Sequence, residues 1–422
     1  MTQANIDQST FPLVGASRTE LEQRLRSAAQ DRNVVRSGPA SFSLMVDAEL
    51  QSLISTAFDA FLTHNAVFGE ALPQLAQMER DVVRMALDIV GGGSDAAGFM
   101  TLGGSESIFS ALHAARTRAR ARGTATEPFE VIAPASIHPA FTKACHYLDL
   151  RLVAVPTGPD LRADIEAMSA SIGPSTIAIC GSAPQWPHHL FDPIVDLAAI
   201  ALEHDLWMHV DACVGGFLAP FVAEAGWPIP PFDLTVPGVC SMSADLHKWG
   251  YAAKPASTVL YSSAELAAWQ PPPVVPWDCG TYVTATPAGT RPGSAIAAAW
   301  AVLQYLGREG FVTLARSTMT ARDQLNERIA AIDGIEVHST DLAMVIYSSP
   351  TLDTQAIGDA LEAHGWLVMR LYAPSDRLQL LVDRTDDEFI DAFIDDLQSA
   401  TETVRAGGSR DEPRTIPKRT YG

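Results

Sequence analysis

The chain has no basic stretch, no closely spaced cysteine pair and no long apolar run, and each absence removes a class of function. Its 422 residues carry 29 Lys and Arg against 49 Asp and Glu, a net charge of −20. A nucleic-acid binder presents a basic face, and no Lys/Arg-rich run is present. Arg116, Arg118, Arg120 and Arg122 alternate, but at the end of an expected helix, where they complement its dipole. The acidity serves solubility rather than recognition of a particular partner. The five cysteines, Cys145, Cys180, Cys213, Cys240 and Cys279, are odd in number and widely spread. With no Cys-x-x-Cys pair they make neither a disulfide framework nor a zinc site, and they suit a reducing cytosol. Met1 to Thr10 is polar and lacks the apolar centre of a secretory signal. The longest apolar candidate, Ala295 to Leu306, is too short to span a bilayer. The expectation is a soluble, cytoplasmic protein without a metal, a nucleic-acid partner or a membrane span.

What is present is a globular composition, 47% hydrophobic, in a chain long enough for two or three structural units. The periodicity predicts helices at Thr19–Asp31, Val46–Leu62 and Gln74–Ile89, the last closed by the Gly91–Gly93 triplet. Strands are expected at 131–133, 151–155, 176–181, 206–211, 241–244 and 257–261, with helices at 139–148, 163–171 and 193–204 between several of them. Strands alternating with helices imply a mainly parallel sheet with covered faces. The Pro-rich stretch Gln270–Pro276 breaks the pattern. A long helix then runs from Ser294 to Leu306 and continues brokenly through Ala330. Residues 336–348, a helix at 354–364, residues 379–383 and an amphipathic helix at 388–405 form a small α/β unit. The expected division is an N-terminal helical segment (1–75), a large domain (76–305), a small C-terminal domain (306–405) and a mobile tail (406–422).

Ligands of such sheets sit beyond the carboxyl ends of the strands, where two acidic and basic segments fall. His209-Val210-Asp211-Ala212-Cys213 closes an apolar strand, and 37 residues beyond Asp211 stands Lys248, within Ser243-Ala244-Asp245-Leu246-His247-Lys248-Trp249-Gly250. An Asp at one strand end and a His-Lys pair at a later one suit a pyridoxal phosphate (PLP) enzyme. The lysine forms a Schiff base with the aldehyde, and the Asp keeps the pyridinium nitrogen protonated. A lone Lys is more often a surface charge. Lys248, however, lies among Ala, Trp, Gly and Tyr, and burial there is expected to depress its pKa, as such a lysine requires. Gly103-Gly104-Ser105 leads into a helix expected at 108–122 and offers an anion cup of glycine backbone and free N–H groups. The bland alternative is a plain Ser cap. His209 shares a strand face with Asp211 and either holds its carboxylate or packs. Cys213 reads as a small packed residue.

These segments resemble the group II PLP-dependent decarboxylase superfamily, most closely its sphingosine-1-phosphate lyases, over residues 35–385. The likeness rests on Gly103–Ser107, His138-Pro139-Ala140-Phe141-x-Lys143, Ala183-Pro184-Gln185-Trp186-Pro187-His188, His209–Phe217, Ser243–Lys254 and Thr290-Arg291-Pro292-Gly293. The resemblance implies a type I PLP-dependent transferase fold and a homodimer with shared active sites. It implies that Lys248 carries PLP, that Asp211 pairs with the ring nitrogen and that His138 stacks on the ring. It also implies that Gly104, Ser105, His247 and a partner chain's Thr290 hold the phosphate, with Lys254 and Asn65 near the substrate. Two departures bear on the substrate. The lyases carry a Tyr in the segment matching Ser37–Asp47, where Phe42, Ser43 and Leu44 stand here, and Asn-Pro-Leu-His where this chain has Asn65-Ala66-Val67-Phe68. The expected activity is carbon–carbon cleavage of a small amine, retro-aldol with an aldehyde product. Decarboxylation of an amino acid is the alternative. A non-catalytic PLP-fold binding protein is a third reading, opposed by the intact Asp211, His247 and Lys248.

Overall fold

The computed structural model describes residues 15–30, 44, 46–123, 125–371 and 376–407. Residues 37–43 and 45, which include Phe42 and Ser43, and all but the first two residues of the expected tail lie outside them. The centre is a seven-stranded sheet of β1 (Ala97–Thr101), β2 (Glu130–Pro134), β3 (Arg151–Val155), β4 (Thr176–Ser182), β5 (Trp207–Asp211), β6 (Val239–Ala244) and β7 (Ser257–Tyr261), in the order β1-β7-β6-β5-β4-β2-β3. The pairs β2–β3, β2–β4, β4–β5 and β5–β6 are parallel, and β7 runs antiparallel to β6 and β1. The expected mainly parallel α/β architecture is therefore the observed one.

Successive strand residues point to opposite faces, and here both faces are core. Ile132, Ile179, Met208, Met242 and Leu260 join one hydrophobic cluster. Their neighbours Val131, Ala178, Trp207, Val259 and Tyr261 join another. This explains why β4, β5 and β7 are buried at every position and read as apolar runs rather than alternating patterns. The helix Gly104–Arg122 packs over β4 to β7, while Ile194–Glu203 covers β4 and β5.

Several elements lie outside the expected pattern, among them β1, a hairpin, the strand Met369–Leu371 and the short helices Ala219–Ala225 and Ala264–Ala267. β1 pairs with a strand some 160 positions later, Thr101 against Ser257, and contains Gly98, whose absent side chain admits the Leu260 side chain and the Val259 carbonyl. The Pro-rich stretch does not merely break the sheet. It leads into an antiparallel hairpin, β8 (Val275–Trp277) and β9 (Gly280–Tyr282), exposed at Val275, Trp277 and Tyr282. A second sheet, β10 (Glu336–His338), β11 (Met344–Ser348), β12 (Met369–Leu371) and β13 (Arg377–Leu381), has the order β10-β11-β13-β12. It packs with the helices Thr354–Ala363 and Asp387–Ala406 around Val345, Tyr347, Trp366, Phe393 and Leu397.

The long helix Gly293–Ala330 joins the two sheets and is broken at Gly307, where φ is 54° and ψ is 178°. Glycine adopts that conformation without a steric penalty, whereas a residue with a Cβ does not. Gly307→Ala is expected to lower the unfolding free energy by about 1–3 kcal/mol, read as the midpoint of urea denaturation. An unchanged midpoint would contradict a kink held in that conformation.

Candidate active site

The carboxyl ends of β1, β2, β4, β5 and β6 open on one cavity of about 560 Å³. Its lining includes Gly103, Gly104 and Ser105 after β1, His138 after β2, Pro184 and Trp186 after β4, Asp211 and Cys213 at the end of β5, and Asp245, His247 and Lys248 after β6. Residues more than 140 positions apart in the sequence thus face one another because five parallel strands end at the same edge.

The helix over this edge begins at Gly104, earlier than the periodicity suggests. Gly103 occupies the cap position and no side chain caps it. The alternative of a plain Ser cap at Ser105 therefore does not hold. The Glu106 amide returns to the Gly103 carbonyl at 2.9 Å, which leaves the amides of Gly104 and Ser105 as the open donors of the first turn. A Cβ on Gly104 would lie 2.5 Å from Cys213 Sγ and 3.1 Å from both Asp245 oxygens. Only glycine lets the helix start approach β5 and β6 this closely. Glu106 fastens the turn by accepting the Leu102 amide at 2.6 Å.

Asp211 is held from one side. Its Oδ1 accepts the Cys213 amide and the Ser243 hydroxyl, each at 3.1 Å, and Oδ2 accepts neither. His209 does not hold this carboxylate. Its Nδ1 meets Ser241 Oγ at 2.8 Å, and Ser241 also accepts the Trp207 indole N–H at 2.8 Å. His209 and Ser241 share the Nδ1–Oγ hydrogen bond, and His209 packs as a neutral ring. Burial pushes its pKa down to about 4 against the favourable field of Asp211. Cys213 is packed and donates to Ser243 at 3.3 Å, and burial raises its thiol pKa.

His138 is exposed into the cavity. Its Nδ1 accepts the Ala140 amide at 3.1 Å, leaving the neutral ring's proton on Nε2. Desolvation lowers its pKa although Asp211 pulls the other way. His247 likewise accepts the Ala256 amide on Nδ1 at 3.2 Å and points Nε2 toward Asp245, 3.7 Å away.

Lys248 departs from the sequence-based expectation. Its Nζ lies 3.0 Å from Asp245 Oδ2, a residue that the motif contained but the reading passed over. Burial does oppose the ammonium, but Asp245, with Cys213 and Asp211, more than offsets it, so the pKa is raised rather than depressed. An Asp three residues before the lysine was the available signal. Lys254 is exposed at the edge, its Nζ 3.5 Å from the His247 carbonyl, and its pKa is lowered by desolvation and by Lys248. Asn65 and Thr290 are brought together, Nδ2 to Oγ1 at 3.3 Å, but neither is among the residues lining the cavity.

The cavity wall at Pro184 and Trp186 is anchored from the second sheet. Gln379 of β13 donates to the Pro187 carbonyl. Asp341, before β11, accepts the Phe191 amide at 2.7 Å and donates its own amide to the His189 carbonyl at 2.9 Å. His189 is fully buried between Trp186 and Trp249, with ring centroids 6.4 Å from each.

A lysine, a one-sided carboxylate, an imidazole over the cavity and an uncapped helix start fit a PLP-binding protein. The amine suits an aldehyde, Asp211 Oδ2 suits a protonated ring nitrogen, and the glycine cradle with its free amides suits a phosphate. The chain belongs to the pyridoxal-dependent decarboxylase family, whose conserved domain matches residues 31–271, and the family's cofactor is PLP. Within it the chain resembles the sphingosine-1-phosphate lyases. It is 37% identical over 361 residues to the Arabidopsis thaliana sphingosine-1-phosphate lyase, covering 84% of this chain and 66% of that protein. The chain thus spans just under two thirds of that relative's length. It superposes with a TM-score of 0.87 on the structure of the Burkholderia pseudomallei sphingosine-1-phosphate lyase, at 32% identity and 94% of each chain. It is also 33% identical to a probable L-tyrosine/L-aspartate decarboxylase of Methanothermobacter thermautotrophicus, over 72% of this chain and 82% of that one.

Among the histidines of the site region that burial holds toward the neutral form, three are shifted furthest, His188 and His209 with pKa values near 4 and His189 near 3. Unfolded histidines titrate near 6.5, so the unfolded state takes up protons first as pH falls. The stability from neutral burial is complete above 6.5 and is lost toward pH 4. Lowering the pH from 7 to 5.5 is expected to reduce the unfolding free energy by about 1 kcal/mol for each such histidine. A denaturation midpoint that stays constant over that range would contradict neutral burial.

Proposed function

We propose that this chain is a PLP-dependent carbon–carbon lyase that cleaves a small β-hydroxy amine by a retro-aldol reaction, releasing an aldehyde. The observation that carries this reading is the convergence of Lys248, Asp211 and His138 on one cavity above the Gly104 helix start. Lys248 would hold the cofactor covalently, Asp211 would face its ring nitrogen and His138 its ring. Gly104, Ser105 and His247 would hold its phosphate. When bound, the cofactor accepts the electron pair left by the broken carbon–carbon bond. The residues supply the rest. The Cys213 amide and Ser243 hydroxyl keep Asp211 from turning. His138 Nε2–H can donate to an anionic or hydroxyl group of the substrate. Trp186 and Pro184 close one wall against water, and Lys254 at the edge attracts anionic substrates.

The likeness to the sphingosine-1-phosphate lyases supports a phosphorylated or otherwise anionic substrate. The likeness to an amino-acid decarboxylase supports the second reading, loss of the α-carboxylate as carbon dioxide. Asn65 lies in the stretch that departs from the lyases, and Phe68 within it is 62% exposed. In this proposal residues 76–305 form the cofactor domain and 306–405 the small domain.

The same reading makes the protein a cytoplasmic homodimer. The Asn65–Thr290 pair is exposed beyond the cavity lining, and the nearby hairpin exposes Trp277 and Tyr282, a surface suited to a second copy. Thr290 would then complete the phosphate site of the partner. Among the described residues no helix is long and apolar enough to cross a membrane.

Purified protein supplied with PLP is expected to release aldehyde from phosphorylated amino alcohols, with no carbon dioxide. Lys248→Ala should reduce that to background. Carbon dioxide from carboxyl-labelled amino acids, formed faster than aldehyde from any amino alcohol, would decide for the decarboxylase. Lys254→Ala is expected to raise KM for anionic substrates about tenfold, the equivalent of one charge-assisted hydrogen bond of ~1.4 kcal/mol, with kcat little changed. Equal KM values for the two proteins would remove Lys254 from substrate recognition. A monomer by light scattering, with activity intact, would refute the shared site.

A further inference from the structure

Asp245 has no part in the proposed reaction, yet it is the more deeply buried of the two aspartates lining the cavity. It is 3% exposed and sits directly under the helix start, where a side chain on Gly104 would meet both its oxygens at 3.1 Å. Its Oδ1 accepts the Ser257 hydroxyl at 2.5 Å. Ser257 in turn meets Ser107 Oγ at 3.0 Å, and Ser107 meets Thr101 Oγ1 at 2.6 Å. This buried row of hydroxyls runs from the end of β1, through the first turn of the helix Gly104–Arg122, to the start of β7. It clamps one oxygen of the carboxylate and leaves Oδ2 for Lys248 at 3.0 Å.

A buried carboxylate needs a cation or a proton, because desolvation penalises its charge. The cation in contact is Lys248. His247 is 3.7 Å away, and its ring already uses Nδ1 as an acceptor, so it remains neutral without a second donor requirement. We propose that Asp245 is the counter-ion of Lys248 whenever that lysine is not joined to the cofactor, holding the free amine as an ammonium at the floor of the cavity. The proposal rests on Lys248 being the cofactor lysine. It makes Asp245 a positioning residue with two consequences. The released lysine has one place to go, away from the substrate. It also becomes nucleophilic only after a proton leaves the pair.

The other groups around Lys248 do not replace this partner. Asp211 and Cys213, from the end of β5, reinforce the ammonium. His138 from the β2 side, His189 from the β4 side, and His247 and Lys254 from its own segment are all held toward their neutral forms by burial and by the Lys248 charge. Removing the Asp245 charge leaves desolvation opposed by the weaker fields of Cys213 and Asp211, and the lysine shifts toward the amine.

The test is the pH profile of Lys248 labelling by a small amine-reactive reagent in the cofactor-stripped protein, read by peptide mass. In the wild type the midpoint is expected above the ordinary lysine value of about 10.4. In Asp245→Asn, which keeps the hydroxyl contacts but not the charge, the midpoint is expected to fall by about one to three pH units. Asp245→Glu should return it toward the wild type. A purely structural role for Asp245 would leave the profile unmoved. Coincident wild-type and Asp245→Asn profiles would overturn the proposal. So would a wild-type midpoint at or below the ordinary value, a measurement that needs no variant to fold. Borohydride trapping of added PLP in Lys248→Ala separates the two readings. An adduct that still forms there overturns the assignment of Lys248 itself, whereas an adduct lost there with unmoved Asp245→Asn labelling overturns only the role of Asp245.

Discussion

Both faces of the central sheet are covered, and that constraint determines where chemistry can occur. Inside a strand buried on both sides an unpaired charge is costly, so charge is confined to the strand ends. Asp211 is the last residue of β5, and Asp245 and Lys248 follow β6 at once. Of the polar side chains inside the sheet, Ser241 pairs with His209 Nδ1 and with Trp207, and His209 Nε2 is buried without a partner. The parallel run of β2, β4, β5 and β6 aligns their carboxyl ends, and the antiparallel β7 brings β1 back so that its carboxyl end joins the same edge.

Charge is confined there but not isolated. The ion pair of Lys248 and Asp245 shows two opposing effects of burial. Desolvation favours the neutral amine, and a carboxylate at 3.0 Å in a poorly screened site favours the ammonium more strongly. The hydroxyls of Thr101, Ser107 and Ser257 matter because they fix the carboxylate without neutralising it. The geometry, not the mere presence of a lysine in an apolar setting, determines which effect prevails.

That difference marks what the sequence made legible. The strands from β2 to β7 and the lysine and carboxylate at their ends could be read directly, because a doubly buried strand writes a continuous apolar run and its polar terminus stands out. β1 could not be read, since it is short, contains Gly98 and pairs only with a strand far along the chain. The β8–β9 hairpin was hidden by prolines that also forbid a helix. The raised pKa of Lys248 was missed because a one-dimensional reading sees apolar neighbours and cannot see which oxygen lies within contact. His209 was left open for the same reason, since Ser241 lies on a neighbouring strand. The placement of Asn65 against Thr290 likewise joins positions that nothing local connects.

The anchoring of Pro187 to Phe191 by Gln379 and Asp341 has a consequence for modularity. The segment that carries Trp186 into the cavity wall is held by backbone bonds to the second sheet, and the buried His189 wedges it between two indoles. The small C-terminal unit is therefore not an interchangeable appendage. Grafting it from a relative would import a different brace for the same wall, and the selectivity of the cavity would travel with a segment that contributes no lining residue to it.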